Sequence, residues 1–198
     1  MVRLCKWKCF IVINKRLGAS KPIPYTVLTY SVNGSYSFTV PPRVTKVKAT
    51  ILGAGGGGSG YGGSSYYGHE DNGYNGGRGG KTIVTLSVSG GQILSITVDK
   101  GGTKGASVRA GESYYFQAGG RTNGTASSVG SYSAQGGGGA TGSGFHDGND
   151  NADYWTHGHV GTSYGEGSFG GNGGLLYPTT EAQNGTDGVV IIEYGKGI

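Results

Sequence analysis

The sequence predicts an all-β protein, a β-sandwich-like framework whose glycine-rich stretches are either loops or packed polyglycine II helices. Three observations lead there. Apolar and polar residues alternate over several separate runs. No segment sustains i, i+3, i+4 apolar spacing over ten residues. Glycine, 45 of 198 residues, disfavours helix, since inside a helix each one costs roughly 1 kcal/mol relative to alanine.

The first strand falls at 36–40, where Tyr36, Phe38 and Val40 share a face. Pro41-Pro42 then ends the ladder, because neither proline can donate a hydrogen bond. Residues 44–52 alternate again, with Val47, Ala49 and Ile51 on one side and Lys46, Lys48 and Thr50 on the other: a half-buried strand with one wet face. The run 81–89 aligns Val84, Leu86 and Val88, Gly90-Gly91 turns the chain, and 92–99 aligns Leu94, Ile96 and Val98; together they predict a hairpin. The run GVVIIEY at 188–194, preceded by Asn184-Gly185 and Asp187-Gly188, is a closing strand.

Composition divides the chain in two. Glycine and proline together make 50 of 198 residues, near the level of low-complexity disorder. A charged fraction of only 14% and the alternating runs argue against disorder. Only Gly18 and Gly34 precede residue 50, and residues 1–48 hold nine Lys/Arg and no acid, whereas 49–198 hold seven basic and eleven acidic side chains. The expected organisation is therefore a basic aromatic arm at 1–30 and a glycine-rich β domain at 31–198.

In the arm, Arg3, Lys6, Lys8, Lys15 and Arg16 alternate with Trp7, Phe10 and aliphatic residues, a mixture suited to anchoring on a protein partner. Neither nucleic-acid binding nor membrane insertion is expected of it. Its apolar run, 9–13, is shorter than the core of a secretory signal. Cys5 and Cys9 have no further cysteine or nearby histidine to complete a zinc site, and their redox state stays open.

The glycine tracts at 55–58, 76–80, 119–120, 136–139 and 170–174 admit three readings: loops, phosphate-cradling turns, or extended helices of three residues per turn that pack side by side. The phosphate reading fails on spacing, because Gly79-Gly80-Lys81-Thr82 lacks the first glycine of a P-loop.

The stretch YSFTVPPRVTKVKATILGAGGGGSG, followed by GGRGGKTIVTLSVSGGQILSITVDKGG, AQGGGGATGSG and NGTDGVVIIEYG, resembles the glycine-rich domain of tailed-phage tail-fibre and tip proteins over about residues 36–195. The resemblance implies a layered polyglycine core with variable loops that contact a host receptor. The chain departs from the tip adhesins in its basic N-terminal arm and in the even spread of its tracts.

Carried onto this sequence, the receptor-binding candidates are Tyr61, Tyr66, Tyr67, Tyr74, Tyr114, Tyr115, Tyr154, Trp155, His157, His159 and Tyr164, which lie in the inserts between tracts. Tyrosine offers a large contact area at low entropic cost, and the competing reading is that these rings cover a thin core. The segment HDGNDNADYWTHGH at 146–159 could also hold a metal through His146, Asp147, Asp153, His157 and His159. An EF-hand is excluded, because Ala152 replaces the required glycine and Gly158 the bidentate glutamate. No cofactor is expected.

No nucleophile elbow, no His-Glu-x-x-His and no cysteine beside a base appears, so no enzymatic activity is expected. The expectation is a non-enzymatic virion surface protein, a phage tail-fibre or tip component that binds a host receptor and docks on other virion proteins through its arm. Two other roles compete: a structural or decoration protein of the particle, and a secreted lectin or matrix protein. In the last, Asn33, Asn123 and Asn184, each in N-G-[ST], would be glycan sites. No heptad or collagen-like period fixes an oligomeric state.

Overall fold

Each of these alternating runs forms a strand. The computed structural model describes residues 21–60, 62–64, 69–71, 73–106, 108–109, 121–140, 161–172 and 180–198, with backbone alone at 62–64, 69–71 and 108–109. The described residues are all-β, with no α-helix.

One antiparallel sheet has the order β1 (Thr26–Tyr30), β11 (Val189–Tyr194), β3 (Lys46–Leu52), β6 (Lys81–Ser87). The other has the order β10 (Tyr132–Ala134), β9 (Ser127–Val129), β7 (Ile93–Val98), β2 (Gly34–Thr39). A small third sheet joins β5 (His69–Asp71), β4 (Gly62–Ser64) and β8 (Val108–Arg109), with β4 and β8 parallel.

The alternation sorts the residues as expected. Val47, Ala49 and Ile51 of β3 and Val190 and Ile192 of β11 form one core with Phe38, Val40, Leu94, Ile96, Val98 and Val129 from the other layer. Lys46, Lys48 and Thr50 alternate with them on the wet face.

One sequence expectation needs correction. The 81–99 stretch is not a hairpin: β6 pairs with β3 and β7 with β2, in different sheets. Both runs need their apolar faces in the same core, so the Gly90-Gly91 turn, with Gly91 at φ 85, carries the chain from one layer to the other. Residues 26–30, at the end of the segment expected as the arm, form β1, paired throughout with β11, and residues 1–20 lie outside the described residues. Strands β9 and β10 add to the runs expected from sequence, with Val129 and Ala134 buried.

At the corner before β3, the Val44 N–H donates to the Pro41 carbonyl at 3.2 Å, closing a turn with Pro42 and Arg43 in the middle. Arg43 has φ 70, the conformation a type II turn reserves for glycine at that place. A side chain there costs on the order of 1–2 kcal/mol.

Above the sandwich the strands continue as glycine tracts. Tract I (53–60) follows β3, tract II (74–80) leads into β6, tract III (99–105) follows β7, tract IV (121–126) leads into β9, tract V (135–140) follows β10 and tract VIII (181–188) leads into β11. Tracts VI (161–164) and VII (167–172) belong to an excursion between V and VIII.

The hydrogen bonds of tract I repeat every three residues. Gly53, Gly56 and Ser59 donate to the carbonyls of Gly80, Gly77 and Tyr74 in tract II. Ala54 and Gly57 donate to Thr125 and Thr122 in tract IV, and Gly55 and Gly58 to Thr186 and Gln183 in tract VIII. Its carbonyls accept with the same period. Gly53 and Gly56 receive Ser168 and Gly171 of tract VII, Ala54 and Gly57 receive Gly137 and Ala140 of tract V, and Gly55 and Gly58 receive Gly102 and Gly105 of tract III. All these bonds span 2.8 to 3.1 Å.

A backbone with three residues per turn points successive N–H and C=O groups outward at 120° steps, so one helix can bond to six neighbours. Tract I does so: partner numbers fall in II, IV and VIII, which run antiparallel, and rise in III, V and VII, which run parallel. All residues of 53–60 are buried. The described glycine stretches are thus packed helices, not loops; 119–120 and 173–174 lie outside the described residues.

Sheet order survives the change of conformation, because II, I and VIII continue β6, β3 and β11, while V, IV and III continue β10, β9 and β7. What changes is the layer spacing. Sandwich layers stand about 10 Å apart with side chains between them, whereas the same layers in the lattice touch by hydrogen bonds. A Cβ on Gly56 would fall within 3.0 Å of the Gly138 carbonyl, and one on Gly55 within 3.0 Å of the Phe169 carbonyl. Only glycine fits at these two positions, and the low apolar content follows: the tracts are held by backbone bonds in place of a side-chain core.

Candidate functional site

The rim helices show what the lattice allows at its surface. In Gly76-Gly77-Arg78-Gly79-Gly80 two of every three positions point inward and the third points out. The Arg78 guanidinium lies over the Phe169 ring, 3.9 Å from its centroid, and the backbone N–H of Tyr164 donates to the Arg78 carbonyl. Tyr164 is 51% exposed and Phe169 62% exposed, so both rings stand on the flank of the lattice.

Where a rim helix lacks a neighbour, side-chain oxygens take the bond. Asn123 Oδ1 accepts from the Gly139 N–H and Asn184 Oδ1 from the Lys104 N–H, each at 2.8 Å. In both N-G-T triplets the glycine packs against tract I and the threonine carbonyl receives a tract I amide. These two motifs, read from sequence as glycan acceptors, therefore have a structural use.

Tract directions define two poles. Tracts I, III, V and VII run away from the sandwich, and II, IV, VI and VIII run back toward it. The segments 61–73, 106–120, 141–160 and 173–180 consequently all begin and end at one pole, opposite the sandwich. There the Ser59 N–H donates to the Tyr74 carbonyl at 3.0 Å and Ser59 Oγ accepts from the Tyr74 N–H at 2.8 Å, leaving Tyr74 half-buried. Lys104 and Glu181, both exposed, pair at 3.5 Å, and Asn172 Nδ2 donates to Gln183 Oε1 at 3.1 Å. The β4–β8 pairing ties the first of these segments to the second.

Of the receptor candidates, then, Tyr74 sits at this pole and Tyr164 stands apart on the flank, beside the 165–166 turn near the sandwich. Tyr61, Tyr66, Tyr67, Tyr114, Tyr115, Tyr154, Trp155, His157 and His159 lie outside the described residues, as do the metal candidates His146, Asp147 and Asp153 and the anchoring candidates of the arm. Sequence reasoning missed the Arg78–Phe169 pair, although the outward position in a G-G-x-G-G period signals it.

Electrostatic coupling among the described residues concentrates on the sandwich. Lys48 Nζ bonds the Glu193 carboxylate at 2.8 Å and the Tyr25 hydroxyl also donates to it. The Lys48 ammonium foremost, and then the Tyr25 hydroxyl, hold the Glu193 carboxyl below its ordinary value. The same contacts raise Tyr25 and Lys48, each first through its hydrogen bond to Glu193. Burial raises Tyr30. A carboxyl held low beside a phenol held high is a satisfied cross-strand cluster, opposite to a general base poised near neutrality.

No family model matches the chain, and no curated protein is similar enough to it to assign a family.

Proposed function

We propose that the chain is a non-enzymatic virion surface protein, a tail-fibre or tip component of a tailed phage that binds a host receptor with the segments at its lattice pole. The observation that carries this reading is that all four long connections leave from one pole. Those segments contain seven of the 14 tyrosines, all four histidines and Trp155, a composition suited to recognition. Their attachment points are fixed by a hydrogen-bonded lattice, which lowers the ordering cost that a binding surface on free loops would bear. The resemblance to tail-fibre glycine-rich domains supports a location on the outside of the particle.

The test compares the wild type with a variant whose residues 141–160 are replaced by a Gly-Ser linker of equal length, in binding to bacterial cells. The replacement leaves every lattice bond named above in place. The expected result is selective binding to one host that the variant loses at an unchanged melting temperature. Absence of wild-type binding to cells that the parent particle infects would contradict the reading.

A further inference from the structure

The pole opposite the connections carries a second candidate surface. Residues 21–25 and 195–198, the Pro41–Val44 turn and the start of β3 meet there around a cleft of about 250 Å³. Val44 and Ile23 give it an apolar lining, while Arg43, Lys46 and Lys196 are exposed around it. No acidic side chain lines the cleft, and neither Lys46 nor Lys196 forms an ion pair among the described residues. The Lys21 carbonyl, beside the cleft, accepts from Arg43 Nη1 at 3.1 Å.

Arg43 makes this more than a patch of surface charge. It occupies the left-handed position of its turn at φ 70, where glycine would be unstrained. Strain of this kind marks places where side-chain identity matters beyond folding. Here it sets a guanidinium at the mouth of an apolar cleft.

We infer that this cleft docks an acidic peptide segment of an assembly partner, a carboxylate meeting Arg43, Lys46 and Lys196 while an apolar neighbour fills the space between Ile23 and Val44. The chemistry favours peptide over nucleic acid. The cations surround one small cleft in place of a stripe that would track a phosphate backbone, and no aromatic ring lines it for base stacking. The inference is independent of the receptor reading, since it uses no residue of the opposite pole.

The probe is a blocked, fluorescein-labelled octapeptide of glutamate and leucine, titrated with the full chain and followed by anisotropy. Lys46→Glu with Lys196→Glu is expected to weaken binding about tenfold or more, and added salt to weaken it further. Arg43→Gly is expected to weaken binding about fivefold while the melting temperature holds or rises, a separation that a merely structural arginine would not show. Arg3→Glu with Lys6→Glu is expected to change binding less than about twofold. In the wild type, the amide shifts of residues 44–46 and 196 are expected to move on titration, which locates the site even if a variant fails to fold. Unchanged binding by the Lys46/Lys196 variant, loss only in the arm variant, or tighter binding of a short oligothymidylate through the same residues would overturn the inference.

Discussion

Glycine loses more conformational freedom on folding than any other residue, so its accumulation needs a compensating requirement at each site. In the lattice that requirement is the approach of a neighbouring carbonyl, and it changes from one residue to the next. Gly77 faces tract VI, where a Cβ would fall within 3.0 Å of the Thr162 carbonyl, whereas Arg78 beside it points out over Phe169. Gly77→Ala is therefore expected to cost about 2–3 kcal/mol, since two hydrogen-bonded backbones must separate. Arg78→Ala gives up the cation–π contact alone and is expected to cost less than about 1 kcal/mol. Chemical denaturation of the two variants checks the contrast, and equal losses would contradict the threefold facing of tract II.

At the scale of elements, β1, β11 and β3 are tied on their outer face by Tyr25, Glu193 and Lys48. Glu193 has its folded value lowered from 4.5, so its contribution to stability is present above that value and lost as pH falls through the folded one. Lys48 has its folded value raised from 10.5, so its contribution is present below that and lost only as pH rises beyond it. Melting temperatures of Glu193→Gln are accordingly expected to vary less than those of the wild type between about pH 5 and pH 3. Parallel profiles would mean that the cluster contributes nothing. The elements differ in how legible they are in the sequence. Strands β2, β3, β6 and β7 are visible because one face is more buried than the other, and β11 because a β-branched run follows two turn dipeptides. Strands β9 and β10 are three residues long, too short for an alternating pattern to show, and only their pairing makes them strands. The 81–99 runs look like a hairpin because alternation records which residues face a core, not which sheet each strand joins.

Across the whole molecule, one architecture explains both the glycine and the shortage of apolar residues: a sandwich whose two layers close into a lattice of backbone helices. The segments between glycine motifs stand out in the sequence, but the placing of their ends at one pole depends on alternating tract directions, which composition does not encode. The basic cleft at the other pole was equally hidden, since the positive φ of Arg43 has no signature in Pro-Pro-Arg. The measurement that tests the lattice most directly is amide hydrogen exchange at Gly55, Gly56, Gly57 and Gly58. Every one of these amides is buried and bonded to a different tract from its neighbours. Protection equal to that of Val47 and Ile51 in β3 is the expected result, because opening them requires the lattice to come apart. Exchange at the rate of a free glycine chain would contradict it and return these tracts to loops.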